Sequence, residues 1–200
     1  MHSATCVAGV ALAAAPAATA ADLDIAPLPV PLPPLPAEPS GGIAPAVAPA
    51  APVARASGRC RGAGARAGRA SSATMRWALL CLINQRRARH GRGGFGPDAR
   101  LMRAANRHAA DMARRHYFGH VSPGGASPLR RVRSAGWRGD VGEAIAWGCG
   151  ARSSPRATIR AWLASPPHRA IVLGHGGAAG IGFKRARGCG GRGYWVLDVG

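Results

Sequence analysis

Phe118-Gly-His120-Val-Ser-Pro123, Gly142-Glu143-Ala-Ile-Ala-Trp147 and Ala161-Trp162-Leu-Ala-Ser-Pro-Pro-His168-Arg169 are the stretches that decide how this chain is read. Each sets one titratable side chain among aromatic or small apolar residues. A carboxylate such as Glu143 is costly to bury without a partner. An imidazole or a metal would provide one. Two imidazoles and a carboxylate meeting in one cavity suit a divalent metal or a polarised water. We therefore expect His120, Glu143 and His168 to form one weak site for Zn²⁺ or another divalent ion. With one carboxylate, Glu143 cannot be both ligand and free general base.

The flanking pattern is mostly helical. Trp77, Leu80, Cys81 and Asn84 recur at helical spacing, with Leu79, Leu82 and Ile83 widening the apolar face. Pro97 and Asp98 open a second helix with Leu101, Ala105, His108 and Met112 inward. Arg100, Arg103, Arg107 and Arg114 lie mostly outward, Asp111 is placed to pair with Arg107 and Arg115, and Gly119 is the expected stop. Ser127-Pro128 and Ser154-Pro155 each read as an N-cap followed by a first-turn proline. The helix from Pro155 buries Ile159, Trp162 and Leu163, and Pro166-Pro167 is expected to end it. Gly180 to Lys184 and Tyr194 to Val199 run like strands, separated by a glycine-rich turn around Cys189. Helices with a few late strands make an α+β domain.

The three opening stretches, in this order, resemble the bacterial secreted, SCP-like branch of the CAP superfamily (cysteine-rich secretory proteins, antigen 5, pathogenesis-related class 1 proteins). The resemblance covers roughly Met75 to Gly200 and places a CAP domain at residues 71–200. It implies an α-β-α sandwich around a small antiparallel sheet, with His120 lining a central cavity. The chain departs from the family pattern at Ala144 and Ile171, where an asparagine is usual. It departs again at Ser165, where animal and plant relatives carry a second glutamate. The cavity is thereby reduced to His120, Glu143 and His168. His116 lies four residues before His120, but we read it as a helix-end cation rather than a ligand.

Residues 1–20 form a small apolar run ending in Ala18-Thr-Ala20, the shape of a secretory signal peptide. Residues 21–70 are Pro/Ala-rich, then Gly/Arg-rich, and read as a disordered spacer. Of the five cysteines, Cys6 falls in the signal segment. The other four allow three connectivities. We expect Cys60–Cys81, pinning the lead-in to the first helix, and Cys149–Cys189, tying the segment after Glu143 to the terminal hairpin turn. That pattern belongs to an oxidising, extracellular or envelope compartment.

Charge is lopsided, with 27 Lys+Arg against 8 Asp+Glu. An anionic envelope polymer or acidic membrane surface is one partner this would suit. The abundance of Arg, Ala, Gly and Pro together also fits a compositional origin. Aromatic residues are only 5% of the chain, too few for base stacking, so nucleic acid is not expected. No Gly-x-Ser-x-Gly elbow or phosphate loop is present. The leading expectation is a secreted, monomeric binding module whose cavity takes a lipid, wall fragment, metal or protein. The alternatives are a metal-assisted hydrolase of peptide or envelope polymer, using Glu143, and an arginine-driven polyanion binder.

Overall fold

The computed structural model describes residues 59–200. The expected signal peptide, Cys6 and the spacer up to residue 58 lie outside the described residues. Residues 59–70, read with the spacer from sequence, instead fold against the domain. Ala63 and Ala67 are buried, the Ala67 amide donates to Ser153 Oγ at 2.8 Å, and Cys60 is bonded to Cys81. Small side chains and the disulfide let this glycine-rich stretch pack in tight turns.

The helices are α1 (Ser72–Arg89), α2 (Ala99–Arg115), α3 (Pro128–Ser134), α4 (Pro155–Ala164) and α5 (Pro166–Leu173). Ser127 and Ser154 cap α3 and α4 as expected. Asp98, read as a first-turn residue, is itself the cap of α2, and Ser71, not singled out from sequence, caps α1. Each turns a side-chain oxygen onto an otherwise orphaned first-turn amide. Pro166-Pro167 does not simply end α4 but starts α5, because a first-turn proline loses no helical hydrogen bond. The stop of α2 is also earlier than Gly119. The helix ends at Arg115 and His116 takes a left-handed conformation with φ 55°.

The strands are β1 (Gly96–Pro97), β2 (Gly142–Cys149), β3 (Ala178–Ala186) and β4 (Arg192–Val199), in the order β1-β3-β4-β2. β2, β4 and β3 run antiparallel as expected, but the two-residue β1 joins β3 in parallel, so the sheet is mixed. The Glu143 stretch is itself an edge strand, paired residue by residue from Gly142↔Val199 to Cys149↔Arg192. That ladder holds the backbone around Glu143 without the family's asparagine. Ala144 there faces the opposite side of the sheet and is buried in apolar core.

The sheet separates two layers. Ala144, Ala146, Phe183, Trp195 and Leu197 pack toward α1, α4 and α5. Ile145, Tyr194 and Val196 pack toward Ala105, Ala109 and Met112 of α2. α3 then leans on α2 through Val132 against Leu101 and Ala104. Period-two alternation in β2 and β4 thus builds both halves of the α-β-α sandwich. Trp77, expected on the buried face of α1, is 52% exposed. The inward stripe is instead Met75, Leu79 and Ile83, and Asn84 exchanges two hydrogen bonds with the Phe95 backbone. Both expected disulfides, Cys60–Cys81 and Cys149–Cys189, are formed.

Candidate functional site

Glu143 and Asp198 sit directly opposite each other on β2 and β4, on the face toward α2. Alternation dictates this, because Glu143 shares its side with Ile145 and Asp198 with Val196. Both carboxyls are buried, with the Glu143 side chain only 2% exposed. Two buried carboxyls need compensation.

Arg131 of α3 supplies it. Its Nη2 donates to Glu143 Oε2, while Nη1 donates to the carbonyls of His120 at 2.7 Å and Ala126 at 2.6 Å. One guanidinium therefore ties the His120 loop to the sheet. The His120 ring completes the arrangement, with Nδ1 2.7 Å from Glu143 Oε1. Burial pushes the Glu143 carboxyl up, but the His120 hydrogen bond and the Arg131 charge outweigh it and hold it below the ordinary range. Asp198 moves the other way. Burial first, and then the Glu143 charge, push it well above the carboxylate range. Its two buried oxygens meet no donor, so a proton on Asp198 shared with Glu143 is the hydrogen bond open to them.

Asp198 therefore favours its proton in the folded state. Stability from this group is full below the unfolded pKa of about 3.9 and is lost as pH rises toward the raised folded value. The loss is about 1.4 kcal/mol per pH unit for one proton. Asp198→Asn keeps the shape and cannot ionise. It is expected to remove that slope and to be more stable than the parent at pH 7. Urea midpoints at pH 5, 6 and 7 measure this; an unchanged slope would mean that Asp198 is ionised in the fold.

The two histidines are held differently. His168 lies in the first turn of α5, is buried, and has Nδ1 2.9 Å from Ser165 Oγ. A hydroxyl thus partners the ring. Burial, and then the His120 charge, lower the His168 pKa. His108, also buried, has Nε2 3.0 Å from the Gly119 carbonyl, fixing the backbone just before His120. Tyr117 lies 3.3 Å from His108 Nδ1 and donates to Asp111.

The expected three-ligand metal site does not fit this arrangement. Both Glu143 oxygens are taken, one by a guanidinium that would repel a cation, and among the described residues no three His, Cys, Asp or Glu side chains are grouped to hold a metal. His116 is an exposed helix-end residue, as read from sequence, and His175 lines a separate cleft beside Trp137. Arg131 and Asp198 were not anticipated as site residues. Asp198 had a signal, since it is a lone acid in an otherwise apolar strand. Arg131 had none, being one arginine among many.

A protein-family model, the cysteine-rich secretory protein family (CAP), matches residues 80–199. The protein YkwD of Bacillus subtilis, described as uncharacterized, is 32% identical over 93 residues, which are 46% of this chain and 35% of that protein. The chain thus spans about a third of the length of this curated relative. Among solved structures, an extracellular SCP-domain protein of Bacillus anthracis aligns with TM-score 0.53 and 22% identity, over 66% of this chain and 44% of that one. An outer surface protein of Borrelia burgdorferi aligns with TM-score 0.51 and 20% identity, over 61% of this chain and 88% of that one. These structural likenesses concern the fold.

Proposed function

The chain belongs to the cysteine-rich secretory protein (CAP) family, and from that premise we propose that it is a secreted binding module whose contact group is the His120 imidazole. The observation that carries this is the asymmetry of the site. His120 keeps 23% of its side chain exposed, while the Glu143 that orients it keeps 2%. A carboxylate behind an imidazole fixes its tautomer and orientation. The accessible element is then a pre-set ring whose Nε2 has no partner among the described residues. It suits a lipid, wall-fragment or protein ligand that presents a hydrogen-bonding group beside apolar surface.

Hydrolysis is the weaker reading. Glu143 would have to leave both Arg131 and His120 to accept a proton from water, and a buried, doubly bonded carboxylate held below its ordinary pKa is a poor base. Export is supported by the two disulfides, which persist in oxidising compartments. The extracellular and outer-surface descriptions of the two structural neighbours agree with it.

The test is a set of titrations read on the His120 and His168 ring resonances, using muropeptide fragments, lauric acid and Zn²⁺ as probes. One organic probe is expected to shift the His120 ring saturably, and Glu143→Gln should weaken that binding about tenfold through loss of orientation. If neither organic probe shifts the ring, the reading fails. Retention of Zn²⁺ at nanomolar affinity, abolished by Glu143→Gln, would restore the three-ligand site and also overturn it. Turnover of the muropeptide that disappears in Glu143→Gln would establish the hydrolase instead.

A further inference from the structure

The surface between α2 and α3 is hollow. One cleft of about 480 Å³ is lined by Asn106, Arg107, His108, Asp111, Ser122 and Arg131, among others, and a smaller hollow of about 140 Å³ beside it by Arg107, Arg130, Arg131 and Ser134. Arg107 and Arg131 belong to both walls. The charges here are unevenly compensated. Arg131 is committed to Glu143 and two carbonyls. Asp111 is committed to Arg114, Arg115 and the Tyr117 hydroxyl.

Sequence spacing placed Asp111 to pair with Arg107 and Arg115; the Arg115 pair forms, at 3.8 Å, and the Arg107 pair does not. Among the described residues, Arg107 and Arg130 have no acidic partner. Two uncompensated guanidinium groups from adjacent helices therefore line the smaller hollow, and Arg107 also forms a wall of the larger cleft. In the larger cleft the polar wall residues are already engaged: Ser122 with the Tyr117 hydroxyl, and Asn106 as acceptor from Arg76 and the Phe183 amide.

We propose that the smaller hollow is a phosphate-binding site, taking a phosphomonoester or phosphodiester group between Arg107 and Arg130, with the larger cleft open beside it. Paired guanidinium forks match several oxygens of a tetrahedral anion, and the planar fork gives arginine an advantage over lysine here. No Phe, Tyr or Trp side chain lines either hollow, so stacked nucleobases are not the ligand class. The strongly basic chain concentrates anions around the hollow, and the uncompensated pair selects among them. The site is distinct from His120 and stands or falls separately from the proposed binding module, although Arg131 forms a wall of one and the anchor of the other.

The experiment is calorimetric titration of the full chain with inorganic phosphate, and separately with a glycerol-phosphate diester dimer, at constant ionic strength. Saturable binding is expected for at least one of them. Arg107→Ala should weaken it about tenfold, and Arg107→Lys should fall between, because charge remains and the fork is lost. Arg156→Ala, an exposed arginine on α4 in the other layer, should leave it within about twofold. Arg107 is exposed, so its variants are expected to fold, and circular dichroism checks that. Binding of phosphate alone identifies a monoester site; binding of the dimer identifies a polymer-type diester. Equal weakening by Arg107→Ala and Arg156→Ala, or the absence of saturation with both probes, would reduce the hollow to part of a general positive field. Binding only to phosphatidylglycerol vesicles would likewise overturn the proposal.

Discussion

Arg131→Ala is expected to cost about 3–5 kcal/mol of folding stability, the usual consequence of removing one partner from a buried ion pair. Two carboxyls, Glu143 and Asp198, would then face each other across β2 and β4 with no guanidinium between them. The His120–Ala126 loop would also lose two carbonyl contacts. The deficit should depend on pH with a definite sign. In the parent, Glu143 has a lowered folded pKa, so its contribution is present above the unfolded carboxylate value and is lost as pH falls through the folded one. In the variant, burial and Asp198 push the same carboxyl upward. The gap between parent and variant should therefore be widest near neutral pH and shrink on acidification. Urea unfolding at pH 7 and pH 4 measures both effects. A loss below about 1 kcal/mol at pH 7 would place this pair with exposed ones and remove Arg131 as the anchor of the site.

Gly182→Val is expected to cost about 3 kcal/mol or more, the upper end of what overpacking does. A Cβ at Gly182 would lie 2.1 Å from the Ala105 carbonyl oxygen, and one at Gly180 would lie 2.1 Å from the Leu101 carbonyl carbon. Both contacts are with the α2 backbone, which cannot rotate away like a side chain. α2 rests directly on β3 through these two glycines, and the Glu143 face is closed by the same helix. The variant should unfold at lower urea and expose the His108–Gly119 contact to exchange. A conservative comparison is Gly188→Val in the terminal hairpin turn, where φ is +101° but no atom lies within 4 Å. There only the turn conformation resists, so the loss should be smaller. Equal losses at the two positions would mean that strand propensity, rather than close approach, governs Gly182.

Much of this was legible along the chain because it depends on nearest neighbours. Serine before a helical run satisfies first-turn amides whatever the rest of the protein does, so the starts at Ser127 and Ser154 could be read directly, and that at Asp98 to within a residue. Leu101, Ala105, His108 and Met112 recur on one side of α2 and all are buried. The two strands near the end alternated visibly. Trp77 shows where periodicity misled: the stripe on α1 was placed a step around the helix, and size suggested burial that the neighbouring layer does not provide. Pro166-Pro167 showed only that one helix could not continue. That another begins there depends on where the chain has to turn.

The sequence by itself determined the helical frame, the two cysteine pairs expected of an oxidised domain, and the placing of His120, Glu143 and His168 in family-matched stretches. Tertiary structure decided what those side chains are. It set Asp198 opposite Glu143, brought Arg131 from twelve residues away to bond Glu143, and placed the His168 Nδ1 beside Ser165 Oγ. It also gave Asp111 to Arg114 as well as the expected Arg115, and left Arg107 without an acidic partner. The physical reason is range. Capping and periodicity act over a few residues, whereas the ionisation and partners of a buried charge are set by every element packed around it, and strand register and helix docking are fixed only when the whole domain closes.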